Sequence, residues 1–69
     1  MLMRNLREYR INNGFTRRLM AELLGISISH YDKLERGERN PSANVLAKSI
    51  IYFSAIYDTP EIMEMWGFQ

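Results

Sequence analysis

Arg17 and Arg18 stand side by side at the head of the segment RRLMAELL, in which Met20, Ala21 and Leu24 recur at helical spacing. Two cations in the first turn of a helix oppose the positive end of its dipole, at about 0.3 to 1 kcal/mol each, and a bound anion reverses that penalty. The chemistry on offer is therefore anion binding, against the plainer reading of two solvated arginines at an exposed helix end. Catalysis has nothing to assemble from, because the chain has one histidine (His30), no cysteine, no phosphate-cradling glycine loop and no clustered carboxylates. No metal and no cofactor is expected for the same reason.

The arginines must be positioned by short helices. Residues 17–36, RRLMAELLGISISHYDKLER, read as two helices meeting at Gly25. Met20 and Leu24 give the first an inward stripe, and Ala21 is small enough for the second to pass close. Gly25 permits the positive φ of a tight helix exit. Ile26 plugs the turn, the Ser27 hydroxyl caps the second helix, and Tyr31 and Leu34 return it to the same core. This is the layout of a DNA-reading helix-turn-helix.

The rest of the chain supplies three more helices. The first is expected from Leu2 to Asn12, with Leu2, Leu6 and Tyr9 or Ile11 inward and Arg4, Arg7 and Glu8 outward. Asn13 and Gly14 end it, Phe15 plugs the core and Thr16 caps the next helix. After the third helix stops at Gly37, residues 36–41 form a loop. Ser42 opens a fourth helix with Val45, Leu46, Ile50, Phe53 and Ile56 as its apolar positions. Thr59 caps a fifth, with Pro60 at its first position and Glu61 near its positive end. No stretch alternates at period two for long enough to be a strand, and there is no repeat or low-complexity linker. The 69 residues are expected to be one all-α domain, 1–69, without a separate effector module. A core of this size supplies about 3 to 5 kcal/mol.

Charge and composition narrow the partners. Hydrophobic residues make up 46% and charged residues 25%, which is ordinary globular material rather than a disordered tail. Residues 1–41 hold eight Lys or Arg against five acids, while in residues 42–69 only Lys48 opposes Asp58, Glu61 and Glu64. One face toward a polyanion and another turned elsewhere follow from that asymmetry. The start, MLMRNLREYR, carries charges where a signal peptide needs an apolar core, and no run approaches the roughly 18 apolar residues of a membrane span. The expectation is a cytoplasmic, nucleoid-associated protein with no membrane partner; the lack of cysteine fits a reducing compartment.

Leu6, Arg10, Gly14, Phe15, Thr16, Ala21, Leu24, Gly25, Ile26, Ser27, Tyr31, Leu34, Glu35, Gly37 and Pro41, in ungapped register over roughly residues 4–65, resemble the Cro and phage-repressor (XRE-type) helix-turn-helix family. The resemblance implies a five-helix lambda-repressor-like domain whose third helix enters the major groove while the second crosses the backbone. By position, Ser27, Ile28 and Ser29 would meet the first bases, and Asp32 and Lys33 those one turn later. Arg17 stands where the family usually has a phosphate-anchoring glutamine. Arg18, His30, Arg36 and Arg39 are the further phosphate candidates, each neutralised phosphate releasing counterions. A mixed-charge loop without a partner is the plainer reading of Arg36, Glu38 and Arg39, and a packed neutral imidazole that of His30. The resemblance makes Arg10 and Glu35 a partly buried structural ion pair.

Departures from the family pattern open a second reading. Arginine, glutamine and asparagine, the strong base readers, are absent from positions 27–33. Ile28 meets a thymine methyl or nothing, Asp32 accepts from cytosine but repels phosphate, and Lys33 is the best guanine reader. Leu19 and Leu23 fall at outward positions of the second helix, four apart, as a candidate protein contact. The C-terminal IMEMWGFQ offers Met63, Met65, Trp66 and Phe68 as a further contact, with Ile62 and either Trp66 or Met65 expected inside. Two functions follow. One is a repressor-like transcriptional regulator of a phage, mobile element or bacterial operon, binding double-stranded DNA as a homodimer. The other is an antirepressor, modulator or antitoxin-like protein that binds a repressor or toxin on the same scaffold.

Overall fold

A computed structural model describes residues 5–67, with five helices: α1 (Leu6–Asn12), α2 (Arg17–Leu24), α3 (Ile28–Glu35), α4 (Ala43–Phe53) and α5 (Thr59–Met65). The described residues contain no strand. Side-chain caps open three of the helices. Thr16 Oγ1 accepts from Leu19 N–H at 3.0 Å, Ser27 Oγ from His30 N–H at 3.0 Å and Ser42 Oγ from Val45 N–H at 3.2 Å. Each occupies a donor that the first turn would otherwise leave unpaired.

The core is built from every helix. Leu6 of α1, Met20, Ala21 and Leu24 of α2, Tyr31 and Leu34 of α3, Val45 and Phe53 of α4, and Ile62 and Met65 of α5 are buried together with Trp66. Phe15 packs against this cluster and stacks on Phe53 at 6.2 Å between centroids, so it is the expected plug. The one buried polar side chain among the described residues, Ser49, is doubly engaged. Its hydroxyl accepts from Trp66 Nε1 at 3.0 Å and donates to the Leu46 carbonyl at 2.7 Å. Burying an indole N–H without an acceptor would be costly, and Ser49 removes that cost.

Several expectations are corrected. The first helix starts at Leu6, with Asn5 already non-helical and its N–H bonded to the Met65 carbonyl at 3.1 Å; Leu2 and Arg4 lie outside the described residues. Tyr9, not Ile11, turns inward, because its ring meets Tyr57 edge-on at 5.0 Å while Ile11 is exposed. Ile56 is 51% exposed: α4 ends at Phe53, and beyond a helix end the three-or-four spacing no longer selects a face. The fifth helix is capped by Asp58, with Pro60 one position further in than expected. The Glu61 carboxylate accepts from Asp58 N–H at 3.1 Å, closing a capping box that Thr59 has no partner to make. Met65 and Trp66 are both fully buried, so neither offers a surface to a partner. Both are used up in closing the core between α4 and α5. Met63 is half-buried, and Phe68 lies outside the described residues.

Candidate nucleic-acid interface

The turn between α2 and α3 fixes the angle of the candidate reading helix. Gly25 adopts φ 69°, a left-handed conformation that L side chains rarely take, and its N–H returns to the Glu22 carbonyl at 3.1 Å. The Ile26 N–H follows to Ala21 at 3.0 Å, and the Ile26 side chain packs against the core. The Lys48 ammonium from α4 lies directly over Gly25, where a Cβ would collide with it. A cation at that point faces the negative end of α2.

Held this way, α3 is two-sided. Tyr31 and Leu34 are buried, whereas Ser27, Ile28, Ser29 and Lys33 are exposed and Asp32 and His30 are half-buried. The positions that the resemblance assigns to bases thus share the outward side of one helix, with Asp32 at its margin toward α2. Arg17, Arg18, Arg36 and Arg39 are all exposed. Leu19 is exposed but Leu23 is half-buried, so the expected ridge of two leucines reduces to one.

Arg17 and Arg36, both phosphate candidates, have partners that sequence reading did not supply. Arg17 Nη1 pairs with Asp32 Oδ1 at 3.4 Å, joining the first residue of α2 to the middle of α3. The Arg36 Nε contacts the Glu38 carboxylate within the loop after α3. The only sequence signal for either was complementary charge, and for Arg17 and Asp32 the separation of fifteen residues hid it.

Beneath this surface lies the Arg10–Glu35 pair. Arg10 Nε and Nη2 donate to the two Glu35 carboxylate oxygens at 3.0 and 3.2 Å, and Nη1 donates to the Phe15 carbonyl at 3.1 Å. The side chains are 13% and 10% exposed, so the pair sits largely out of water. The hydrogen bond from Glu35 raises the Arg10 pKa, against an opposing effect of burial. Tyr31 lies against the same pair with its hydroxyl buried and outside hydrogen-bonding geometry; burial, then Glu35, pushes its pKa far up. Burial raises the Tyr9 pKa, and Glu64 and Glu61 add to it, which places the acids of α5 beside α1. The described residues contain no cluster of metal-ligating side chains, and none of their helices is long and apolar enough to cross a membrane.

A helix presenting polar residues on one face and locked into a small core by the other, at an angle set by a left-handed glycine, defines the helix-turn-helix class. The helix-turn-helix family matches residues 6–48, from α1 into α4, and the chain belongs to it, as a member of the Cro/C1 (XRE) type. An uncharacterized HTH-type transcriptional regulator of Bacillus subtilis (strain 168), YazB, is 39% identical over 54 residues, covering 75% of this chain and 78% of that protein. No solved structure matches.

Proposed function

We propose that the chain is a DNA-binding transcription regulator, acting as a repressor on a phage, mobile-element or bacterial operon, with α3 laid in the major groove. The observation that carries this reading is the two-sidedness of α3: Ser27, Ile28, Ser29 and Lys33 face solvent while Tyr31 and Leu34 anchor the helix. Family membership and the regulator named among its relatives support it. In this arrangement Arg18, Arg36 and Arg39 reach phosphates beside the groove, where His30 is also placed, and Lys33 reaches a base edge. A homodimer on two half-sites about one helical turn apart completes the reading. The exposed apolar residues Ile51, Tyr52 and Ile56, at and just beyond the end of α4, are the described surface suited to pairing, ahead of Met63.

Duplex binding across a salt series tests this. Arg18→Ala is expected to weaken binding to every sequence and to lower the salt slope by about 0.9, one phosphate contact. Lys33→Ala should relax preference at one base pair, by about 1 to 3 kcal/mol. Duplexes with one half-site and with two, spaced by one turn, read the dimer through the steeper titration of the second. Absence of duplex binding even at low salt overturns the regulator reading. It would favour the protein-binding alternative, an antirepressor or antitoxin, which the exposed Ile28 and Leu19 support.

A further inference from the structure

Arg17 and Asp32 are the one described ion pair that bridges α2 and α3, the two helices of the candidate interface. Its geometry differs from that of the Arg10–Glu35 pair in every respect that matters for permanence. A single contact at 3.4 Å replaces two bonds at 3.0 and 3.2 Å, and the side chains are 59% and 29% exposed. Such a pair is screened by water and shifts an equilibrium by at most about five-fold. It is made to open.

Position gives the pair its consequence. Asp32 lies three and four residues after Ser29 and Ile28, on the same side of α3, and is the only acid between Ser27 and Leu34. A carboxylate there repels phosphate, and the base group it can accept from is the cytosine amine alone. Arg17, at the first residue of α2, is a cation against the positive end of the helix dipole and calls for an anion. In the free protein that anion is Asp32. On DNA it would be a phosphate, which competes with Asp32 for the same positive charge even though the pair occupies only one guanidinium nitrogen.

We propose that Asp32 is an internal stand-in for phosphate: its carboxylate holds Arg17 in an openable ion pair, so that Arg17 grips DNA only by leaving it, and affinity for arbitrary sequence is held down. Asp32 is thus a positioning residue that governs specificity through Arg17 rather than a base reader. The inference rests on the DNA-binding reading above and refines it.

A double-mutant cycle tests it, with wild type, Asp32→Asn, Arg17→Ala and the double variant titrated with a mixed-sequence duplex over a salt series. Far-UV circular dichroism checks that all four are folded, as expected for substitutions outside the core. Asp32→Asn should tighten binding about two- to five-fold and steepen the salt slope by about 0.9, as Arg17 takes up one more phosphate. In the Arg17→Ala background the same change should leave the slope unaltered and give less than about a two-fold gain, the size of a small residual repulsion. An equal gain with and without Arg17 overturns the proposal, since Asp32 would then be an independent repulsive charge. Weaker binding by Asp32→Asn also overturns it, because Asp32 would then be steering Arg17 onto the phosphate. If none of the four binds duplex at low salt, the DNA-binding reading falls and the inference with it.

Discussion

Arg10 uses all three of its guanidinium nitrogens, two on Glu35 and one on the Phe15 carbonyl, and so ties the first helix, the following turn and the end of the third helix together. That arrangement was legible because both partners match a family pattern residue by residue. The Arg17–Asp32 pair was not, since each residue was read as facing outward to DNA and nothing local links them. Tyr31 carries the pH dependence at this scale. Its folded pKa lies well above the unfolded value near 10, so the neutral phenol is favoured by the fold. The resulting stability is fully present below about pH 10 and is lost as pH rises beyond it, because the unfolded chain releases the proton first. Thermal unfolding from pH 8 to 11 should show a falling midpoint that is shallower in Tyr31→Phe. At neutral pH that variant should stay within about 1 kcal/mol of wild type, because the lost hydroxyl makes no hydrogen bond.

Helix boundaries were readable wherever a short polar residue preceded an apolar run, as at Thr16, Ser27 and Ser42. At the fifth helix the cap is Asp58 rather than the expected Thr59. The decision lay with Glu61, three residues after Asp58, whose carboxylate closes the capping box. Gly25 and Gly14 separate two contributions at element scale, since φ is 69° and 70° but only Gly25 has a neighbour where a Cβ would go. Gly14→Ala should cost about 1 to 2 kcal/mol through backbone strain alone. Gly25→Ala should cost slightly more: the Lys48 ammonium must also move off the end of α2, which the far end of a flexible side chain does cheaply. Each kcal/mol should lower the melting midpoint by about 4 to 8 °C, and circular dichroism melts of the two variants check the order.

At the scale of the whole molecule, Trp66 is the largest of the fully buried side chains among the described residues. Its indole fills the space beside Ile62 and Met65 and reaches Ser49 on α4, so the last helix is fastened by both packing and a buried hydrogen bond. Truncating a buried tryptophan costs about 3 to 5 kcal/mol, and a domain of this size has about that much to lose. Trp66→Ala is therefore expected to lack a cooperative thermal transition, whereas Trp66→Phe should retain one at a lower midpoint. A native-like melt for Trp66→Ala would show that the α4–α5 contact is not what sustains the fold. Charge is also divided at this scale: the acids of α5 sit beside α1, while Arg17, Arg18 and Lys33 belong to the α2–α3 side.

The sequence by itself determined that the chain is all-helical, where four of the five helices begin to within a residue, and that α2 and α3 meet at Gly25. Those features depend on local chemistry: helical spacing, hydroxyl caps and a glycine free to take positive φ. Only the tertiary structure decided that Arg17 faces Asp32, that Ser49 receives the Trp66 indole, that Met65 and Trp66 both go inside and that Ile56 stays out. Each of these depends on which surfaces two helices present to one another once they cross, and side-chain spacing along one helix does not carry that information.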